Sequence, residues 1–498
     1  MWHRAILTAA ALATAGAAAA AEQPGPDLTV TGEIAGADHQ TYREVPFDVP
    51  EGTERITVTL SYDRSNKTVV DMGVWDPARF RGWSGGTRDR FTIAPGDATP
   101  GYLAGALPAG RWKLLLGVPN ARAESRAAYS VGVSFDRAGT RNASAAIADA
   151  PLKAAPGWYR GDLHMHDAHS DGSCRSRSGR KVPCPLFRTV AAASETGLDF
   201  IAVTDHNTTA HFGGLRELQP YFDTVLLIPG IEITTFGGHA NIFGATRFVD
   251  FRVGTTDVPD IGALQRDVAA SGAILSINHP ALPSGEQCMG CGWTWQGADY
   301  GAVTAIEAIN GTTIDGPFAG LGFWYARLNE GHRLTGIAAS DNHDPDVAPG
   351  NLAPGPAPIG RPRTVVRAHA LSTPAILDGL RAGNVFLDIE GTNSRLLEVE
   401  AVAGGRRATM GETLPGHRHA TIGAHIVDTR EGFAELILNG RLVGQRKEVG
   451  LDDARLKWTL DAGQTCGWLT VNVRDSRGKP LLVGNPVYLA CGGARTQR

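Results

Sequence analysis

No block of like charge interrupts this chain. Its 47 Lys and Arg nearly balance 51 Asp and Glu, leaving a formal net charge of -4. Nucleic-acid backbones and anionic membrane surfaces select for a basic stripe, so neither is an expected partner. Beyond the N-terminus there is no apolar stretch long enough to cross a bilayer. No ordered Ser, His and Asp set is present, so no protein nucleophile is expected. Cysteine is scarce, 6 in 498 residues. A chain of that length exceeds one ordinary core and is expected to divide into roughly two to four domains.

The first residues read as a targeting signal. His3 and Arg4 precede an apolar run from Ala5 to Ala20, and Ala19-Ala20-Ala21 forms an Ala-x-Ala site before Glu22. This pattern predicts a secretory signal over residues 1–21 and a periplasmic or secreted mature protein; the alternative is an Ala-rich tail. The cysteines fit that compartment. They fall as near neighbours, Cys174 with Cys184, Cys288 with Cys291 and Cys466 with Cys491, and an even count in an exported chain favours disulfides. Cys288-Met289-Gly290-Cys291 also has the spacing of half a structural zinc site, but no second pair accompanies it.

The rhythm of the chain then changes twice. Over residues 27–136, Ile56, Val58, Leu60 and Tyr62 alternate with polar residues, as do Tyr129, Val131, Val133 and Phe135. That period of two, punctuated by Gly and Pro, predicts an antiparallel β-sandwich or jelly roll. Residues 137–156 are rich in Ala and small polar residues and read as a linker. Over residues 157–391, short apolar runs suited to buried parallel strands (Leu198–Thr204, Thr224–Pro229, Ala273–Ile277, Thr304–Ile309, Leu334–Ala339) alternate with helical stretches. The helices carry stop signals: Leu186–Thr196 before Gly197, Ile261–Ser271 before Gly272 and Gly320–Glu330 before Gly331. Thr373-Pro374 opens a further helix that stops at Gly383. The alternation predicts an α/β class with a parallel barrel or doubly wound sheet. Over residues 394–498 the β pattern returns, with hairpins at Asn439-Gly440 and at Asp475–Gly478, and predicts a small immunoglobulin-like sandwich.

The middle region opens on Gly161-Asp162-Leu163-His164-Met165-His166-Asp167-Ala168-His169-Ser170-Asp171-Gly172. A spacing of two puts His164 and His166 on one side of an extended strand, within reach of one ion. Imidazole with carboxylate suits zinc, iron or manganese rather than calcium. Taken alone, the segment also reads as a polar surface loop. In a parallel α/β fold, however, reactive residues gather at the carboxyl ends of strands. Asp205 and His206, Glu232, His239, His279, and Asp341 with His343 each follow or open an apolar run. Together they predict a polynuclear metal site.

These motifs have an order. Asp162-Leu163-His164-Met165-His166 with Ser170-Asp171-Gly172, Thr204-Asp205-His206-Asn207, Pro229-Gly230-Ile231-Glu232, Gly238-His239, Asn278-His279-Pro280 and Ser340-Asp341-Asn342-His343 resemble those of the PHP (polymerase and histidinol phosphatase) metallohydrolases. The exported arrangement with flanking β domains, and the pieces Ile359–Thr364 and Asn485-Pro486-Val487-Tyr488, are similar to the branch of the carbaryl hydrolases.

The resemblance implies a distorted (β/α)7 barrel holding three divalent ions. His164, His166, Glu232 and Asp341 would hold the first ion; Glu232 as a bridge, with His239 and His279, the second; Asp171, His206 and His343 the third. Glu232, Asp341, His206 and His343 would carry the chemistry, a metal-bridging hydroxide attacking small phosphate mono- or diesters. Carbamate, amide or ester hydrolysis is the alternative for the same site. A non-catalytic β-rich binding protein with a vestigial barrel is the alternative of another class, and the intact ligand set argues against it. Asp162 and Asp205 are expected to orient ligand imidazoles. Asp167 stands where the family commonly has Thr, and His169 and His211 match no ligand position. Trp293, Trp295, Phe323 and Trp324 are expected to form either an apolar substrate wall or core.

Overall fold

The computed structural model describes residues 25–86, 88–137, 147–148, 150–245, 247–286, 288–347, 357–415, 419–450, 452–461 and 466–490. The expected signal over residues 1–21 lies outside them. No helix among the described residues is long and apolar enough to cross a membrane.

Strict alternation builds the N-terminal module. Thr41–Val49 buries Val45, Phe47 and Val49 and exposes the residues between them, as a sheet with one wet face requires. Leu28–Ala35, Arg126–Arg137, Thr53–Tyr62 and Arg90–Ile93 form one antiparallel sheet. Thr41–Val49, Gly110–Asn120, Val69–Trp75 and Phe80–Ser84 form a second. Ile56, Val58, Trp112 and Leu114 fill the space between them. The expected sandwich pattern is present.

Among the described residues, the middle region carries five α-helices and nine strands in one sheet, while Ser173–Arg175 and Lys181–Pro183 pair separately. The strands are β1 (Gly157–Asp162), β2 (Phe200–Val203), β3 (Leu226–Thr235), β4 (Gly238–Phe243), β5 (Ile274–Ile277), β6 (Ala305–Asn310), β7 (Thr335–Ala339), β8 (Arg363–Ala368) and β9 (Val385–Asp388). The helices are α1 (Leu186–Glu195), α2 (Phe212–Leu218), α3 (Ile261–Ser271), α4 (Gly320–Asn329) and α5 (Thr373–Arg381). β2, β5, β6 and β7 are buried along their whole length, which explains their unbroken apolar runs. Helix α3 shows why local signals worked. The Asp260 side chain accepts from Ala263 N–H at 2.7 Å, a cap that contributes about 1 kcal/mol. Ile261, Leu264, Gln265 and Val268 face the core, and Gly272 at φ 75° ends the helix in the left-handed region.

A regular alternation of seven βα units is not what these residues form. The sheet order is β7-β6-β5-β4-β3-β2-β1-β8-β9, and β4 runs antiparallel to both β3 and β5. β8 is antiparallel to β1 and β9. The region is β-rich with few helices, and its sheet is mixed. At the two-residue turn Phe236-Gly237 the chain reverses directly from β3 into β4, with no crossover helix between them. Backbone pairing also continues beyond the strands: Asp341 N–H donates to His164 O at 3.0 Å and His166 N–H to Asn342 O at 2.8 Å. The exits of β1 and β7 are thereby tied together, and Thr364 Oγ1 bridges β8 to Ala338 of β7.

The C-terminal strands are not a separate sheet system. β9 pairs with Pro480–Gly484, which leads through Gly467–Asp475 to Gly432–Leu438. Leu396–Ala403, Arg406–Thr409, Ala420–Val427 and Asp453–Leu460 make the opposing sheet. The Asn439-Gly440 hairpin is present, with both residues at positive φ. Cys174 and Cys184 are bonded, as are Cys288 and Cys291. Cys466 is also in a disulfide, and its expected partner Cys491 lies outside the described residues.

Candidate metal centre

Strand alternation decides which way the ligands point. After β1 the chain stays extended between the exits of β2 and β7. His164 and His166 project to one side, Leu163 and Met165 to the other, and all four are fully buried. Glu232 comes from mid-strand rather than a strand end, because β3 runs on to Thr235. Its hairpin partner β4 sets His239 opposite Thr234. His206, His279, Asp341 and His343 leave the ends of β2, β5 and β7. Asn207 (φ 52°), His279 (φ 25°) and Asp341 (φ 53°) take left-handed backbone there, a strain of order 1–3 kcal/mol each that clusters at functional sites. Hydrogen bonds hold it in place: His279 N–H donates to Glu307 Oε2 at 2.9 Å and Asn207 N–H to Glu232 O at 2.9 Å.

All nine expected ligands converge. Glu232 Oε2 lies 3.3 Å from His164 Nε2, 3.5 Å from His166 Nε2 and 2.8 Å from His206 Nδ1. Its Oε1 faces His239 Nδ1 at 3.3 Å and His279 Nε2 at 3.5 Å. Asp341 Oδ1 stands 3.2 Å from His164 Nε2 and 3.4 Å from His166 Nε2. Asp171 Oδ1 approaches His343 Nε2 at 3.4 Å and His206 Nε2 at 3.7 Å. Groups with metal-ligand spacing include His164, His166 and Asp341; His164, Glu232 and His279; and His166, Asp171, His206 and His343, while Asp167, His169 and Asp205 form another beside them. His166 thus also stands beside the third set. Cys291 lies near His239 and His279, but its sulfur is bonded to Cys288 and cannot serve as a thiolate.

The donors fit divalent cations on their own chemistry. His164 Nε2 and His166 Nε2 are buried without a hydrogen-bond partner, although buried polar atoms are nearly always paired. Both point at the carboxylates of Glu232 and Asp341. Burial, with the neighbouring His343 and His164 rings, pushes His166 down to about 4 against the pull of Asp341. Its ring is therefore held neutral at pH 7, and a cation placed between this nitrogen and the two carboxylates would satisfy all three groups. Burial also disfavours the charged forms of Glu232 and Asp341, but the surrounding imidazoles hold both well below the usual carboxylate range. Burial opposes charge on His343 as well, yet Asp171 and Asp341 raise it to about 9. Nitrogen and anionic oxygen in each set suit zinc, manganese or iron.

One functional carboxylate escaped the sequence reading. Glu307, fully buried on β6, holds His164 Nδ1 at 2.7 Å, His279 N–H at 2.9 Å and Asn310 Nδ2 at 3.0 Å. Accepting from His164 Nδ1–H, it leaves Nε2 as the nitrogen that would face a bound cation. Its signal was present: a lone carboxylate inside the buried run Ala305-Ile306-Glu307-Ala308-Ile309 needs partners to be tolerated. Asn278 was missed as well; its Nδ2 donates to Glu232 Oε1 at 2.9 Å. Glu307→Gln is expected to weaken zinc or manganese binding about 10–100-fold, read by titration against a competing chelator. Unchanged affinity would remove Glu307 from this role.

Other assigned roles change. Asp162 orients no imidazole; it accepts backbone N–H groups of Ser340 at 3.0 Å and Gly360 at 2.7 Å. Asp205 likewise holds the loop after β1, accepting from Asp167 N–H at 3.0 Å and Ser170 Oγ at 2.5 Å. Asp167 pairs with His169 Nδ1 at 2.6 Å, while burial and the adjacent Asp205 carboxylate raise it to about 6. His211 is buried against the carbonyls of Val203 and Gly230 at 3.2 and 3.0 Å, a structural position. Of the aromatic residues, Trp324 is core, donating to Leu334 O at 2.9 Å, and Phe323 packs on Tyr300 under Arg327. Trp293 and Trp295 flank Gly238 and Gly237 beside His239.

No family model and no curated protein matches this sequence. Among solved structures, the chain is similar to a two-domain protein from Bacteroides vulgatus described as containing a predicted PHP-like metal-dependent phosphoesterase. The two are 19% identical, the match covers 67% of this chain and 96% of that one, and the TM-score is 0.38. At that TM-score the likeness carries no weight.

Proposed function

We propose that this chain is a PHP-type metal-dependent hydrolase, exported, acting on small phosphate mono- or diesters through a site for three divalent ions. The observation that carries this reading is the pair of orphaned buried nitrogens, His164 Nε2 and His166 Nε2, facing two carboxylates. Bound divalent ions would supply Lewis acidity there, polarising a phosphoryl oxygen and lowering the pKa of a coordinated water to ~7.

The chain's own residues do the rest. Glu232, reaching five imidazoles, would bridge two of the ions, and Asp341 would complete the first with His164 and His166. Glu307 and the carbonyls of Cys291 and Met289, at 3.2 Å from His279 Nδ1 and 3.3 Å from His239 Nε2, fix which nitrogen each ring turns inward. Asp171, His206 and His343 are the part-exposed wall, with side-chain exposures of 58%, 27% and 32%. That wall is where a phosphoryl group would enter. The two disulfides agree with an oxidising compartment.

An assay of aryl phosphates and aryl carbamates side by side, on metal-quantified protein, tests the reading. Phosphate ester turnover is expected to exceed carbamate turnover at least about tenfold in kcat/KM, a difference of ~1.4 kcal/mol. Turnover of carbamates alone would assign the same site to attack on carbon instead.

A further inference from the structure

Two large apolar side chains stand in solvent at the edge of the metal cluster. Phe236 is 98% exposed and Met289 is 74% exposed. Phe236 is the first residue of the two-residue turn joining β3 to β4, since Thr235 pairs with Gly238. Glu232 and Thr234 share one face of β3, and Thr234 Oγ1 lies 2.5 Å from His206 Nδ1. The turn is therefore the outward end of the ligand-bearing strand. Phe236 lies four residues past Glu232, roughly 13 Å of extended chain. Met289 arrives from the opposite side, with its carbonyl 3.3 Å from His239 Nε2.

The backbones of the two loops that carry them touch. A Cβ at Gly290, where φ is 78°, would come within 2.3 Å of Thr235 O and 3.1 Å of Phe236 Cα. Only glycine permits the two loops to touch this closely. Trp295 Nε1–H donates to Thr235 Oγ1 at 2.8 Å, and its ring lies under Gly237. A single exposed apolar residue is ordinary, but two on touching loops beside a polar site suit a binding surface.

We infer that Phe236 and Met289 grip the apolar alcohol portion of the ester whose phosphoryl group the metal cluster receives. The substrate class is then phosphate esters of a bulky aryl or alkyl alcohol, rather than of a sugar or other polyol. This rests on the hydrolase reading. In the reaction, water oxygen bonds to phosphorus, the bond from phosphorus to the alcohol oxygen breaks, and a proton ends on the released alcohol. The phosphoryl end meets Asp171, His206 and His343, while the apolar end extends past His239 towards the turn.

Calorimetric binding of methyl-, phenyl- and octylphosphonate, which are not hydrolysed, tests the inference on metal-loaded protein. Phenyl- and octylphosphonate are expected to bind about tenfold or more tighter than methylphosphonate, as covering one aromatic or aliphatic side chain allows. In the Phe236→Ser, Met289→Ser double variant that preference should fall to about threefold or less, with metal content unchanged. Both residues are solvent-exposed, so folding is not at stake. In parallel, kcat/KM for 1-naphthyl phosphate should fall in the variant while that for glycerol phosphate does not. Equal affinity for the three phosphonates, or a preference the variant keeps, overturns the inference and leaves the hydrolase reading standing. So does Phe236-dependent binding to phosphatidylcholine vesicles without any phosphonate preference. Failure of all three phosphonates to bind, with no ester turned over, overturns both.

Discussion

Replacing Glu232 by Ala is expected to lower turnover about a thousandfold or more, a loss of roughly 4 kcal/mol of transition-state stabilisation. Bound metal should fall in the same variant. Glu232 is 1% exposed and faces ligands of all three expected sets: His164 and His166, His239 and His279, and His206. Without it five imidazoles face one another with their shared negative partner gone, and two cations that close together would repel strongly in a buried site. Glu232→Gln separates charge from shape. It can still accept from Asn278 Nδ2, now 2.9 Å from Oε1, so the strand pairing should survive while metal is lost. Turnover and metal analysis on both variants check this. A wild-type rate with wild-type metal content in Glu232→Ala would contradict the assignment.

The second large effect is on stability. Asp97 of the N-terminal sandwich is 3% exposed and holds two guanidinium groups. Its Oδ1 lies 2.5 Å from Arg55 Nη2, and its Oδ2 lies 2.5 Å from Arg216 Nε of helix α2. The carboxylate thereby ties the sandwich to the layer that carries the metal site. Asp97→Ala leaves two arginines buried beside each other and is expected to cost about 3–5 kcal/mol, lowering the first thermal transition by on the order of 10 °C.

The pH dependence has a definite sign. Burial opposes the charged form of Asp97, but Arg55 and Arg216 overcome it and lower its pKa. A carboxylate with a depressed folded pKa stabilises fully above its unfolded value of ~3.9 and loses that stabilisation as pH falls through the folded value. The wild type should therefore lose its advantage over Asp97→Ala on acidification below about pH 4. Calorimetry between neutral and acid pH reads this, and a variant that melts with the wild type at pH 7 would show the latch to be energetically idle.

How legible each feature was in the chain depends on how local its signal is. Helix α3 could be read because Asp260, its apolar face and Gly272 all lie within one short segment. The β3–β4 hairpin could not. Leu226 to Phe243 is buried nearly throughout, so no alternation distinguishes a reversal from a strand leading to a helix. The same blindness to direction explains the ligand environment. The order of His164, His166, Glu232, Asp341 and the others along the chain announced a cluster. Which carboxylate each imidazole would lean on depends on strands brought together from far apart. Glu307 sits 143 residues from His164 in sequence, and no spacing rule reaches that far. Asp162 lies two residues from His164 along the chain, yet accepts the backbone N–H groups of Ser340 and Gly360, because strand exits that carry left-handed turns leave amides needing acceptors.

Metal content of the purified protein, with phosphate ester turnover followed through chelation and reloading, tests the central claim most directly. With three ligand groups built around Glu232 and His166, about two to three equivalents of zinc, manganese or iron per chain are expected. Turnover should disappear on chelation and return when metal is restored. Less than about one equivalent, with no turnover regained on adding zinc or manganese, would contradict the claim that these buried imidazoles and carboxylates exist to hold metal.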